Sequence, residues 1–288
     1  MKTMDMLFSS LENHWPGKYF LSRFVAGEEM DDALMVAEKL NKEGFTAIIH
    51  FLGEEEEVEG VGGTNSSKSR YRYTVIIYRE ILREIFRRKL EGRISIKPSQ
   101  LGLKISRDFY WYNLLKIARD AFLFGIPLEI DMETEDTVVE TINETVSLAE
   151  YYQGLDLRQT LAMNCKKSFN YLFALMQVGV KVRICKGAYQ GDISDKNEIK
   201  GRFRSLASYL LRRRADPEFA TDDLELINHI LSLISDYHPV SCGFQFFFGL
   251  RKKTWEKLKD GGERVSIYVP FGAKNNWCQI KRCRRYFL

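Results

Sequence analysis

Short apolar segments of strand length alternate along this chain with longer amphipathic segments. A chain in which strands and helices alternate favours a parallel sheet, and eight units whose strands are covered on both faces favour closure into a barrel. The eight predicted strands cover residues 45–52, 94–97, 127–131, 157–163, 181–185, 218–221, 242–247 and 264–269. The predicted fold is therefore α/β, a (β/α)8 TIM-type barrel, and a doubly wound open sheet is the alternative.

Helix-period patterns occupy the intervals between the predicted strands. An additional N-terminal helix is expected at 31–41, and the acidic, then Gly/Ser-rich segment 54–70 is expected to be a mobile loop at the C-terminal mouth of the barrel. The helical segments are 73–90, 113–124, 138–152, 206–211, 224–234 and 252–258. The expected organisation is an N-terminal segment, 1–22, followed by one barrel domain, 23–288.

Composition excludes several classes of protein. With 45% apolar and 28% charged residues over 288 positions, the chain should fold as an ordinary globular domain. Its net charge of +4 is small, and its basic clusters belong to no recognised nucleic-acid module, so nucleic acid is not an expected partner. Five scattered cysteines predict reduced thiols and no metal site. The sequence has neither a signal peptide nor an apolar run of about 18 residues, which predicts a cytoplasmic protein.

Polar residues stand where the predicted strands end, and barrel active sites lie at the C-terminal strand ends. Any one of these residues could belong to a structural ion pair. Several basic groups that converge on one mouth suit a small anionic substrate or a cofactor phosphate. The candidates are Lys97, Asp131, Arg183, the run Lys186-Gly187-Ala188-Tyr189, and the pair Arg284 and Arg285.

Six segments in register carry a family resemblance. They are RFVAGEEMDDALMVAEKLNKEGFTAIIHFLGEE (23–55), ISIKPSQLGL (94–103), LEIDME (128–133), VRICKGAY (182–189), FQFFFGLR (244–251) and VSIYVPFG (265–272). In this order and spacing they resemble the proline dehydrogenase family, and the resemblance extends over residues 23–285.

The resemblance implies a flavoprotein, an oxidoreductase that acts on CH–NH donors. Members of the family bind FAD non-covalently in a barrel and oxidise L-proline to Δ1-pyrroline-5-carboxylate, the first step of proline catabolism to glutamate. Electrons pass to a quinone or another acceptor, and a pyrroline-5-carboxylate (glutamate semialdehyde) dehydrogenase takes the product. The implied location is the cytoplasm, with at most peripheral contact at the inner face of the cell membrane.

The resemblance also implies roles for residues that match the family motifs. Asp131 and Arg183 would be catalytic, with Asp131 poised against Lys97 and Arg183 close to the flavin. Substrate would be held by Lys97, Tyr189, Arg284 and Arg285. Cofactor contacts would come from Met132, Ala162, Arg183, Lys186, Gly187, Ala188, Thr221 and Asp222.

Five positions depart from the family pattern. His50 stands in place of an aspartate, Ala162 in place of a glutamine, Lys167 near a usual arginine, Asp222 in place of a histidine, and Lys281 in place of a tyrosine. The departures favour an alternative in which the chain is a diverged, non-catalytic or altered-substrate barrel of the same family. A barrel aldolase in which Lys97 forms a Schiff base is a further alternative.

Overall fold

The computed structural model describes residues 23–53 and 64–272, and eight parallel strands in it form a closed barrel in chain order. The last strand pairs with the first from Thr46 opposite Ser266 to Phe51 opposite Phe271. This pairing confirms the predicted barrel and excludes the open sheet. The strands are β1 Thr46–Phe51, β2 Gly92–Ile96, β3 Leu128–Ile130, β4 Leu157–Ala162, β5 Lys181–Cys185, β6 Glu218–Ala220, β7 Gly243–Phe247 and β8 Arg264–Phe271.

Both faces of the strands are buried, which explains why their sequences are nearly continuous apolar runs. In β1 every residue after Thr46 is buried, and in β4 all six residues are. One face of each strand points into the barrel and the other lies under a helix, so neither face favours polar residues. Polar side chains that do occur inside are therefore unusual and need partners.

Helices follow the strands as predicted, with two differences. The segment expected to be a loop at 54–70 is helical from Thr64, and its earlier part lies outside the described residues. The helix Ser168–Gln177 was not predicted, because this short and mostly apolar segment has little polar contrast. The helices are α1 Met30–Lys42, α2 Thr64–Arg88, α3 Arg107–Phe124, α4 Glu135–Tyr151, α5 Ser168–Gln177, α6 Lys196–Arg212, α7 Leu224–Tyr237 and α8 Lys252–Asp260, and a short 3₁₀ helix covers Pro98–Leu101.

The additional N-terminal helix α1 covers the barrel wall where β8 meets β1. Its start is stabilised by the Asp32 carboxylate, which accepts a hydrogen bond from the backbone N–H of Glu29 at 3.0 Å. Ala33, Leu34 and Ala37 are fully buried on its inner face. Helix α1 thus protects from water the seam at which the barrel closes.

Neither a membrane-spanning helix nor a metal site is found among the described residues. None of its helices has the length and apolar character needed to cross a membrane. Within residues 23–53 and 64–272 no cluster of His, Cys, Asp and Glu could hold a metal ion. Cys165, Cys185 and Cys242 are free thiols, and Cys278 and Cys283 lie outside the described residues.

Candidate active site

Two clusters of charged side chains fill the barrel interior at different depths. The first lies near the N-terminal ends of the strands, and we call it the basal cluster. The second lies toward the C-terminal ends, and we call it the mouth cluster. The basal cluster consists of Arg93, Arg158, Glu218, Gln245 and Arg264, and the mouth cluster consists of His50, Lys97, Asp131 and Arg183.

The basal cluster is a network of ion pairs around one carboxylate. Glu218 Oε1 lies 2.9 Å from Arg93, 3.3 Å from Arg264 and 3.6 Å from Arg158. Burial alone would raise the pKa of Glu218, but the three arginines hold it at about 2. This carboxylate is therefore ionised at neutral pH and surrounded by cationic protein groups.

In the mouth cluster, Arg183 is completely buried between two carboxylates. It donates to Glu129 and, over 2.9 Å, to Asp131. Although burial disfavours its charge, these carboxylates raise the pKa of Arg183 further. Glu129 in turn accepts a hydrogen bond from Gln245 at 2.7 Å and so links the two clusters.

Asp131 follows β3 directly and has partners from three other strands. Besides Arg183 it accepts hydrogen bonds from the hydroxyls of Ser95, at 3.0 Å, and Tyr268, at 3.2 Å. Burial opposes ionisation, but Arg183 and Lys97 together lower the pKa of Asp131 below its usual value. Asp131 is therefore a fixed carboxylate within the electrostatic reach of Lys97.

Lys97 follows β2 and contacts the histidine at the end of β1. The distance from Lys97 Nζ to His50 Nε2 is 2.8 Å. The other ring nitrogen of His50 lies 2.9 Å from the carbonyl oxygen of Ser95 and 3.2 Å from the hydroxyl of Tyr78. Burial, followed by Lys97, lowers the pKa of His50 to about 3, so the ring is neutral under ordinary conditions.

The loops after β2, β3 and β5 meet at Glu133. Its carboxylate accepts hydrogen bonds from the backbone and hydroxyl of Ser99, both at 2.7 Å, and from Tyr189 at 3.0 Å. Burial raises the pKa of Glu133. The predicted substrate residue Tyr189 is thereby tied to the loops that follow Lys97 and Asp131.

Four predicted ligand-contacting residues line one small pocket between the loops after β3, β4 and β5: Met132, Ala162, Ala188 and Tyr189. The thioether of Met132 accepts the backbone N–H of Ala162 at 3.2 Å. Gly187, expected to let a cofactor approach the backbone, has φ of +122°, and a Cβ there would lie 2.1 Å from Asn164 Oδ1. Glycine at this position therefore makes room for the protein's own Asn164 side chain.

The other predicted cofactor residues lie together beyond β5 and β6. Lys186 Nζ is 3.5 Å from Asp223, and Arg251 Nε is 3.9 Å from Asp222. Burial lowers the pKa of Lys186 and raises that of Asp222, so burial weakens the charge of both groups. Thr221 is buried, and its hydroxyl accepts the backbone N–H of Asp223 at 3.2 Å.

The structure brings together the residues predicted at the strand ends, and it adds others. Lys97, Asp131 and Arg183 form the mouth cluster, whereas Lys281, Arg284 and Arg285 lie outside the described residues. Sequence reasoning treated His50 only as a missing acid, although its position at the end of β1 was a signal that it faces the mouth. The other residues it missed are Ser95, Tyr78, Tyr268, Glu133 and Asn164.

Comparisons with known proteins agree with the resemblance. No protein-family model matches the chain. Proline dehydrogenase 1 of Bacillus subtilis (strain 168) is 24% identical over 272 residues, which cover 87% of this chain and 82% of that protein. Proline dehydrogenase of Deinococcus radiodurans is 22% identical over 259 residues, which cover 87% of this chain and 81% of that protein.

Solved structures share the barrel. Proline utilization A (PutA) from Bdellovibrio bacteriovorus, inactivated by N-propargylglycine, superposes with a TM-score of 0.81 at 17% identity over 93% of this chain. This chain spans 32% of the length of that PutA, and a PutA from Bradyrhizobium japonicum gives a TM-score of 0.73. The sequence relatives and the shared fold together support the resemblance: this chain is a divergent relative of the proline dehydrogenases.

Proposed function

We propose that this chain is an FAD-dependent proline dehydrogenase that oxidises L-proline to Δ1-pyrroline-5-carboxylate. The observation that carries the proposal is the mouth cluster, in which a lysine, a carboxylate and an arginine are buried together at the active-site end of the barrel. Relatives named proline dehydrogenase match 87% of the chain, which supports the same substrate.

Lys97 is the group that binds the proline carboxylate in this proposal. An ammonium held in a water-poor cavity attracts a carboxylate more strongly than it would in water. Arg284 and Arg285, which lie outside the described residues, are proposed to complete this binding. Fixing the carboxylate orients the proline ring. Correct orientation of two bound groups supplies a large part of the rate enhancement of a transfer between them.

Asp131 and Tyr189 are proposed to act on the rest of the substrate. Because the pKa of Asp131 is lowered, it remains a carboxylate at neutral pH and attracts the secondary ammonium of proline. Tyr189 packs at the edge of the same site, where its bond to Glu133 holds its ring in place. These contacts would place the carbon next to the nitrogen at the reacting position.

The residues present fit a flavin. Bound FAD supplies the acceptor for the hydride that leaves the ring carbon beside the nitrogen. Arg183 would place its positive charge close to the electron-accepting ring, and Met132, Ala162 and Ala188 would line that ring. Lys186 and Thr221 offer donors to the phosphates. The carboxylate of Asp222 lies near the positive charges of Lys186 and Arg251, which offset its repulsion of a phosphate.

The remaining parts of the proposal follow from the proposed activity. A quinone or another acceptor reoxidises the flavin, and a pyrroline-5-carboxylate dehydrogenase consumes the product. Bifunctional proline utilization A (PutA) is among the solved structures that share this barrel. We propose that the protein is cytoplasmic and makes peripheral contact with the inner face of the cell membrane, where it would reach quinones.

The test is to record the visible spectrum of the purified protein with FAD and then to add L-proline anaerobically. The proposal predicts flavin bands near 380 and 450 nm that bleach with L-proline. Lys97→Met should slow bleaching by about a hundredfold or more, because the carboxylate is no longer fixed. Lys104→Met, the same substitution at an exposed lysine of the same region, should bleach like the native protein.

A protein that binds no flavin, or binds it and does not bleach with L-proline, would contradict the proposal. That outcome would favour the alternative of a diverged, non-catalytic or altered-substrate barrel, in which Ala162 and Asp222 have changed the cofactor site.

A further inference from the structure

His50 has a hydrogen-bonding pattern that fixes the position of its ring protons. Its Nδ1 lies 2.9 Å from the carbonyl oxygen of Ser95, which can only accept. The proton of a neutral ring must therefore sit on Nδ1, which leaves a lone pair on Nε2. The group 2.8 Å from that lone pair is the ammonium of Lys97, which can only donate.

Tyr78 reinforces this arrangement from helix α2. Its hydroxyl donates to the same Ser95 carbonyl oxygen at 2.9 Å. Having donated there, its oxygen can accept from His50 Nδ1, which is 3.2 Å away. Both Tyr78 and His50 are completely buried, so water does not compete with these bonds.

The charges that face His50 keep its ring neutral. Lys97 and Arg183 disfavour protonation, whereas Asp131 favours it. Tyr78, the Ser95 carbonyl and the Tyr268 ring, whose centroid lies 5.4 Å from that of His50, also face it. Burial outweighs the effect of Asp131, so the pKa of His50 falls to about 3.

We propose that His50 is a positioning residue that fixes the ammonium of Lys97 through an uncharged acceptor, a contact that adds no negative charge beside the group that meets an anionic part of the ligand. A carboxylate at position 50 would also fix Lys97, but it would add a negative charge there. The identification of the anionic group as the carboxylate of proline rests on the proposed function.

The first test observes the ring directly and needs no ligand. The chain contains four histidines, so ring-nitrogen NMR spectra of the native protein and of His50→Gln assign the His50 signals by difference. The expected result between pH 5 and 9 is a neutral ring, protonated on Nδ1, with an Nε2 signal that shifts in Lys97→Met. A ring that is protonated on Nε2, or that titrates near its ordinary pKa, would overturn the proposal.

The second test uses a matched pair of amides. Glutamine carries its amide to about the position of Nε2 and can still accept from Lys97, whereas asparagine carries it only to about the position of Nδ1. The probes are L-proline and cyclopentanecarboxylate, whose binding is measured by calorimetry. His50→Asn should weaken binding of cyclopentanecarboxylate about tenfold, the typical effect of losing one hydrogen bond to a charged group. His50→Gln should stay within about threefold of the native affinity.

A third variant separates position from charge. His50→Asp should weaken carboxylate binding at least as much as His50→Asn, because the new carboxylate competes for Lys97. Prolinamide, which lacks the carboxylate, should bind the native protein and all three variants about equally. Equal losses in His50→Gln and His50→Asn, or tighter carboxylate binding by His50→Asp, would contradict the proposal.

The outcomes separate this inference from the proposed function. A protein that binds cyclopentanecarboxylate with the predicted order of variants but does not bleach with L-proline would refute the dehydrogenase and support the role of His50. A protein that bleaches with L-proline while His50→Gln and His50→Asn behave alike would support the dehydrogenase and refute the role of His50.

Discussion

The basal and mouth clusters are built from similar residue types, yet their charges are arranged differently. In the basal cluster three arginines lie within 3.6 Å of one carboxylate oxygen of Glu218. In the mouth cluster Lys97 contacts a neutral histidine, and Asp131 shares Arg183 with Glu129. In the basal cluster every arginine lies beside a carboxylate, whereas the mouth contains a lysine whose side-chain contact with His50 carries no opposite charge.

The difference indicates which cluster serves the fold and which serves a ligand. Buried charges cost free energy unless they are paired, so arginines that share the carboxylates of Glu218 and Asp216 are consistent with a structural role. A lysine fixed by a neutral acceptor is consistent with a site that reserves a charge for a bound anion. We therefore expect substitutions in the basal cluster to affect stability first and substitutions in the mouth cluster to affect activity first.

Glu218→Gln should have the largest effect. It leaves the buried Arg93 and Arg158 and the partly exposed Arg264 without their central carboxylate, and breaking a buried pair typically costs about 3–5 kcal/mol. Urea unfolding at pH 7 measures the loss. Glu256→Gln is the control, because the Glu256 side chain is about half exposed and its pair with Lys252 spans 3.9 Å. A loss no greater than that of the control would show that the basal cluster does not support the fold.

Asp131→Asn should affect activity more than stability. The amide keeps the size of the side chain but removes the charge that is proposed to attract the ammonium of proline. We expect anaerobic flavin reduction by L-proline to slow by about a hundredfold, as for a misplaced substrate. The free energy of unfolding should fall by about 1.5–3 kcal/mol, less than in Glu218→Gln. A rate close to native would remove Asp131 from the reaction.

The two clusters should also respond to different ranges of pH. The pKa of His50 is about 3 in the folded protein and 6.5 when unfolded, so the unfolded chain binds the extra proton first. The contribution of neutral His50 to the free energy of unfolding is complete above pH 6.5 and declines as the pH falls toward 3. By pH 5 the free energy of unfolding has fallen by roughly 2 kcal/mol. Glu218, with a folded pKa of about 2 and an unfolded value of 4.5, loses its contribution only below about pH 4.5.

Urea unfolding of the native protein and of His50→Gln at pH 7 and pH 5 measures this separation. The difference between the two proteins cancels the contributions of Glu133 and Asp222, whose raised pKa values act in the opposite direction. If lowering the pH from 7 to 5 reduces the free energy of unfolding of the native protein no more than that of His50→Gln, then His50 is not held neutral.

Tyr78→Phe should have the smallest effect. It removes one donor to the Ser95 carbonyl oxygen, which keeps its bond to His50, so we expect a loss of about 1 kcal/mol in the free energy of unfolding. Tyr73→Phe, an exposed position on the same helix, is the control and should change nothing measurable. Equal effects of the two substitutions would argue against the Tyr78 contacts.

Much of the fold could be predicted from the sequence because the barrel depends on local patterns. All eight predicted strands overlap the observed ones, since buried parallel strands are continuous apolar runs. The helix at Ser168–Gln177 was missed because an apolar decapeptide has no clear helical periodicity. The predicted loop is helical from Thr64, because polar residues such as Asn65 and Ser66 do not prevent a long helix from beginning.

The site could be predicted only in part. Lys97, Asp131 and Arg183 stand at predicted strand ends, so their convergence followed from the barrel. The role of His50 did not, because it depends on which atom faces Lys97 and on Tyr78, which comes from a helix. Likewise, Gly187 suggested a cofactor contact, whereas its partner is Asn164 from another loop. Contacts between distant segments are set by three-dimensional packing, which a single sequence does not display.

The most direct test of the central claim is anaerobic flavin reduction by L-proline in three proteins measured side by side: native, Asp131→Asn and Glu218→Gln. The account predicts that the native protein bleaches, that folded Glu218→Gln bleaches at a similar rate, and that Asp131→Asn is slower by about a hundredfold. A native protein that does not bleach, or equal losses in the two variants, would contradict the assignment of the mouth cluster as the site of proline oxidation.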